Sequence, residues 1–242
     1  MLPLKDNVPT RAFPVVTVGL IALNVFVYIW EATGRGLDDH VFHWGYYPCA
    51  VEGPCTQPET LYHHPQWVET VFSSMFMHGG IVHIAGNMLF LWIFGNNVED
   101  ALGHVRFFVW YLVGGLAATA LQTFVTLHFG SVQDASIPNV GASGAIAAVL
   151  GAYFVLLPRA SVLTLIFLGF FFIFREVPAI FFLGIWIGLQ AISGTLSVTA
   201  PSSGGGVAFF AHIGGFAFGL LTVQLVKQRD PLPPAVRYAW RG

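Results

Sequence analysis

Long apolar runs broken by short polar stretches set the pattern of this chain. Pro14 to Trp30 is the first run, and a second follows the Gly79-Gly80 break, from Ile81 to Gly95. Val105 to Phe129 is the third, and the fourth begins near Ala142 and ends at Pro158-Arg159. Pro178 to about Ser193 and Val207 to Val226 complete the set. A hydrocarbon core takes roughly 20 residues of helix to cross, so these runs predict six spans. Val162 to Phe174, at about 13 residues, is short for a span and reads as an interfacial or re-entrant segment. The first run is a retained span rather than a signal peptide, since Glu31 follows it and no small-x-small cleavage pattern is present. Residues 32–69 form a long outer loop between the first two spans, rich in acidic, proline and aromatic residues. Its length predicts amphipathic structure at the interface. Residues 96–104 read as a polar turn, 201–206 as a tight loop, and the tail from Lys227 as disordered. The expected division is a cytoplasmic segment 1–13, a membrane domain 14–228 and a cytoplasmic tail 229–242.

Composition agrees. Of 242 residues, 55% are hydrophobic and 9% charged, against about 25% charged in soluble domains. Mean hydropathy is +0.70. The chain is read as an all-α, polytopic membrane protein in a lipid bilayer. A net charge of −2 without a basic patch speaks against nucleic acid. With six spans, Lys5, Arg11, Arg106, Arg159, Arg175, Lys227, Arg229, Arg237 and Arg241 fall on the side of the termini and Arg35 opposite. That asymmetry puts both termini in the cytoplasm. The expected location is a prokaryotic cell (inner) membrane. Cys49 and Cys55, in the outer loop, fit a disulfide or two free thiols equally.

The candidate chemistry centres on NVGASGAIAAVLG, residues 139–151. Ser143, Ala147 and Gly151 share a small-residue face that permits close helix approach. Taken alone, this is a packing seam that includes a serine. Polar residues on other spans change the reading. His83 and Asn87 share a face of the second span. His212 shares a bare face of the sixth with Gly215 and Gly219. Counted from the outer loops, all four polar side chains lie on the order of 10 Å or less below the outer surface. Two short side chains can meet within about 3 Å only where their helices nearly touch, and the two bare faces allow this for Ser143 and His212. No Asp or Glu lies at that depth, so the expected unit is a Ser–His pair. Asn87, His83 and the Ser143 backbone N–H are the candidate donors to an oxyanion.

GASG at 141–144, AHIGGFAFG at 211–219, HGGIVHIAGN at 78–87 and the weaker GNNVEDALGHVRF at 95–107 together resemble the rhomboid family of intramembrane serine proteases. The resemblance implies a six-transmembrane-helix rhomboid-like bundle with a cavity open to the outside. It also implies cleavage of single-pass membrane proteins near the outer ends of their transmembrane segments. By position Ser143 matches the nucleophile, His212 the base, and His83 and Asn87 the oxyanion-stabilising residues. Gly141 matches the glycine before the nucleophile and Glu99 a structural acid. Many members carry an aromatic four residues after the serine, stacked on the histidine; here that position is Ala147. Phe209, Phe210 or Phe216 is expected to orient His212 instead. The paired Trp-Arg of some family outer loops is also missing, with Trp44 and Trp67 available at the interface.

The expected activity needs no cofactor and no metal. Two other readings stand beside it. One is a haem- or metal-binding protein using His83 and His212 with His40, His43, His63 and His64. The other is a rhomboid-like binder of transmembrane segments that does not cut. A protease must reach carbonyls that a helix keeps hydrogen-bonded, so substrates with small or helix-breaking residues near the cut are expected.

Overall fold

A computed structural model describes residues 1–33, 36–56, 66–169, 171–199 and 207–233. Arg35, His63, His64, the 201–206 loop, Arg237 and Arg241, all of which entered the expectations above, lie outside the described residues. The chain opens with strand β1 (Leu2–Asp6) and helix α1 (Val15–Ala32). Two short helices of the 32–69 segment follow, α2 (Leu37–Trp44) and α3 (Trp67–Ser73). Next come α4 (Ile81–Leu102), α5 (His104–Phe129) and the single turn α6 (Val132–Ala135). Helix α7 (Ser143–Leu156), strands β2 (Ser161–Leu168) and β3 (Phe171–Pro178), and helices α8 (Ala179–Thr199) and α9 (Phe209–Val226) complete the order.

Helices α1, α4, α5, α8 and α9 are long and apolar enough to cross a membrane. Their outer faces keep large apolar side chains exposed, among them Phe26, Val105, Phe181 and Leu225, as lipid-facing surfaces do. Helix α7 is shorter, with 14 residues, and is the centre of the bundle. Every residue from Ala145 to Tyr153 is buried, and α9 and α5 pack closest to it.

Two features depart from expectation. Helix α4 does not stop at Gly95: a π-turn at Leu91–Gly95 carries it on through 96–102, where a polar turn is expected. The acidic and amide groups of that stretch are polar because they bind other segments. Glu99, almost wholly buried, accepts from the Val16 and Thr17 N–H groups at 2.9 and 2.7 Å and from the Thr17 hydroxyl at 2.7 Å. It thereby satisfies first-turn donors of α1 that no intrahelical carbonyl can reach. His104 Nδ1 lies 2.5 Å from the same carboxylate.

The second departure is the segment 162–174. It is a β-hairpin, neither span nor re-entrant helix: Ser161 pairs with Pro178 and Leu168 with Phe171, and β1 pairs with β2 to give a three-stranded antiparallel sheet. Both strands are rich in β-branched and aromatic residues, which favour extended backbone. The first thirteen residues are tied to the bundle through this sheet and through Arg11, which pairs with Asp100 at 3.0 Å. The tail is ordered as far as it is described: Gln228 and Arg229 N–H groups bind the Ala101 carbonyl and Arg229 Nε the Asp100 carbonyl. Between α2 and α3, Cys49 and Cys55 form a disulfide.

Candidate active site

Ser143 is the first residue of α7 and His212 the fourth of α9. Ser143 Oγ and His212 Nε2 are hydrogen-bonded at 2.8 Å. The bare faces make this possible. A Cβ on Gly215 would strike the Gly144 carbonyl and one on Gly219 the Ala148 carbonyl, so the two backbones touch with no room for a methyl group. The seam also runs the other way, since Gly151 abuts the Phe216 carbonyl. Gln122 on α5 sets the start of α9: its Oε1 accepts from the Phe210 and Ala211 N–H groups, both at 3.1 Å.

The approach to the serine is fixed from two sides. Tyr46 and Asn139 form a backbone bridge, and the Gly141 N–H donates to the Ser74 carbonyl at 2.8 Å. Gly141 has φ +131°, a conformation that side-chain-bearing residues rarely adopt. A Cβ there would lie 2.8 Å from His83 Nε2 and 3.5 Å from Ser143 Oγ, so this glycine makes room for the imidazole. Its N–H is already taken; Gly141 contributes space and chain direction, not a donor.

His83 and Asn87 sit in the first two turns of α4. The His83 ring packs edge-on to His78 at 5.1 Å between centroids. His78 is buried, its N–H donates to Glu31, and burial pushes its imidazole down to about 4, so it is neutral near pH 7. Asn87 Nδ2 is buried with no hydrogen-bond acceptor among the described residues. An amide donor held that way costs about 1–3 kcal/mol, which a developing anion would offset.

The orientation of His212 comes from elsewhere than expected. Neither Phe209, Phe210 nor Phe216 stacks on it. Trp186 of α8 does, with ring centroids 5.6 Å apart and a 40° tilt, and Phe216 backs Trp186. On the other ring nitrogen, Gln190 Oε1 lies 2.8 Å from His212 Nδ1. Both α8 residues escaped the sequence reading. The signal was present: Gln190 is the one amide side chain in Ala179–Thr199. Among the described residues no three His, Cys, Asp or Glu side chains converge as metal ligands would.

A cavity of about 40 Å³ opens beside Ser143, walled by Met75, Gly115, Ala118 and Ala145. A larger one of about 320 Å³ is lined by His83, Gln122, Thr126, Asp134, Ala208 and Phe210.

Fold and site together define a polytopic helical membrane protein with a Ser–His pair at a glycine-lined helix crossing. The rhomboid domain model matches residues 64–229, and the chain belongs to the rhomboid family. It is similar to rhomboid protein 1, mitochondrial, of Saccharomyces cerevisiae, 29% identical over 154 residues that cover 63% of this chain and 40% of that one. It is similar also to the human presenilin-associated rhomboid-like protein, mitochondrial, 32% identical over 168 residues, 66% of this chain and 39% of that one. RHOMBOID-like protein 4 of Arabidopsis thaliana is 31% identical over 151 residues, 62% and 32%. The matched stretch therefore spans two fifths or less of these relatives' length.

Proposed function

We propose that this chain is an intramembrane serine endopeptidase, with Ser143 as nucleophile and His212 as general base. The observation that carries this is the 2.8 Å contact between Ser143 Oγ and His212 Nε2, held in place by two helix backbones with no slack between them. His212 takes the hydroxyl proton as Oγ adds to a peptide carbonyl. The oxyanion is met by the Asn87 amide, which has no other acceptor among the described residues, and by the His83 ring. His212 then passes its proton to the leaving amine, which departs with one half of the substrate. Water, deprotonated by the same imidazole, adds to the acyl-serine and releases the new carboxylate. No metal or cofactor enters these steps.

Substrates are transmembrane segments of single-pass proteins, cut near their outer ends, since Ser143, His212, His83 and Asn87 each lie within the first two turns of their helices. The 40 Å³ cavity beside Ser143 suits a methyl- or hydroxymethyl-sized side chain at the cut, in keeping with small residues there. We further propose six spans, counting α7, with both termini on the cytoplasmic side, and the domain limits given at the outset. Two of the three relatives above bear mitochondrial names, so a prokaryotic cell membrane draws no support from them.

The test is cleavage of a model single-span substrate in liposomes by wild type and Ser143→Ala. Loss of product with an unchanged melting profile is expected. Turnover by the variant at the wild-type rate would overturn the proposal, and substrate capture without cleavage by wild type would identify a binder instead.

A further inference from the structure

The imidazole of His212 is bridged between two helices. Its Nε2 faces Ser143 of α7 and its Nδ1 faces Gln190 of α8, each at 2.8 Å. A neutral imidazole carries a single N–H, and the two tautomers are not equivalent here. With the proton on Nδ1, Nε2 offers a lone pair to the serine hydroxyl. With the proton on Nε2, the ring can only donate to Oγ, and the serine stays a hydroxyl. A carbonyl oxygen accepts and never donates, so an amide oxygen facing Nδ1 selects the first tautomer. We propose that Gln190 is the positioning residue of this site: it holds His212 in the Nδ1–H tautomer and, with Trp186, in the rotamer that reaches Ser143.

This rests on the Ser–His reading above. In soluble Ser-His-Asp enzymes a buried carboxylate performs the orienting task. At the depth of His212 a carboxylate would have to be desolvated, which an amide avoids while still offering an acceptor oxygen. The rest of α8 shows that Gln190 is not merely another polar residue in the helix. The hydroxyls of Thr195, Ser197 and Thr199 bond back to carbonyls of their own helix, at Ala191, Gly194 and Thr195. Gln190 reaches across to another helix. Trp186, one turn earlier and so on the same face, lays its ring against the same imidazole. Two contacts from one helix face define both the tilt of the ring and which nitrogen bears hydrogen. It follows that the base is competent only while α8 is docked, although α8 contributes nothing to the serine itself.

The experiment compares wild type, Gln190→Leu and Gln190→Glu. The readouts are cleavage kinetics of a model transmembrane substrate and ¹⁵N resonances of the His212 ring in histidine-labelled protein. Gln190→Leu should lower kcat roughly ten- to a hundredfold, with KM within twofold and a loss of the pure Nδ1–H signature. Gln190→Glu, which keeps an acceptor oxygen, should recover most of the rate and the signature. The proposal is overturned if Gln190→Leu keeps more than half of kcat, if its His212 remains wholly in the Nδ1–H form, or if Gln190→Glu is as impaired as Gln190→Leu. Should Gln190→Leu fail to fold, Gln190→Met, closer in shape, is read by the same criteria. Failure of the underlying reading is separate: it shows as full activity of Ser143→Ala, and the ring resonances report on Gln190 regardless.

Discussion

Replacing Gly215 by alanine puts a methyl group where the α9 backbone rests directly on that of α7. The new Cβ would overlap the Gly144 carbonyl and come 3.1 Å from the Ala147 Cβ. Both obstacles belong to α7, which is buried from Ala145 to Tyr153, and one of them is backbone, so no rotamer change relieves the overlap. Helix α9 must retreat by roughly 1 Å to restore ordinary contact. His212 lies one turn from Gly215, and the same retreat carries its Nε2 from 2.8 Å to well beyond hydrogen-bond reach of Ser143 Oγ. Misplacement on the order of 1 Å costs about a hundredfold in rate, and overpacking about 1–3 kcal/mol in stability. The assay is initial cleavage rate in liposomes beside labelling of Ser143 by a fluorophosphonate, with the melting temperature measured on the same samples. Gly19→Ala, in α1 where nothing lies within 4 Å of the added Cβ, is the control that should behave as wild type. Adding Ala147→Gly should not rescue Gly215→Ala, because the Gly144 carbonyl remains in the way. A Gly215→Ala variant that cleaves and labels within twofold of wild type would refute the claim that backbone contact sets the Ser143–His212 distance.

Glu99→Ala should lower the melting temperature markedly, since it strips the acceptor from the Val16 and Thr17 N–H groups and each buried donor left unpaired costs about 1–3 kcal/mol; Glu99→Gln should recover part of the loss, and equal melting of all three proteins would contradict the capping role. Burial raises the Asp6 carboxyl to about 6, against help from the Tyr153 hydroxyl, so the folded protein holds this proton more tightly than the unfolded chain. The stability it contributes is complete below pH 3.8 and is lost as pH rises through about 6. Thermal stability should therefore fall between about pH 4 and 6, and Asp6→Asn should flatten that slope; an unchanged slope in the variant would count against it.

The site was readable in the sequence to the extent that its residues are costly in lipid. Ser143, His83, Asn87 and His212 stand out because nothing apolar explains them, and the glycines at 215 and 219 stand out because they remove bulk. Gln190 carries the same kind of signal but was masked by its setting, one amide in a helix otherwise read only as a span. Trp186 carries none, as an aromatic in an apolar helix is indistinguishable from lipid-facing bulk until its neighbour is known. The hairpin was hidden for a related reason: an apolar stretch of about 13 residues has no periodicity that separates strand from helix, and its partner β1 lies about 160 residues away. The continuation of α4 past Gly95 was hidden because polarity at 96–102 signals a surface turn in a lone sequence, whereas here it signals a buried capping site.

That continuation through the π-turn has a geometric consequence for the helix as a whole. Asn87 and Glu99 are twelve residues apart. On an uninterrupted α-helix they would point about 120° away from one another. The wider turn at Leu91–Gly95 absorbs about one residue, which turns the lower half back by about 100° and leaves both side chains on nearly the same meridian. One rod thus presents a hydrogen-bond donor to the bundle interior near one surface and an acceptor to it near the other, with a single winding defect as the coupling between them. The spacing of the motif around Asn87 and that of the motif around Glu99 are each dictated by their own neighbours, and the π-turn is the phase adjustment that lets one helix obey both.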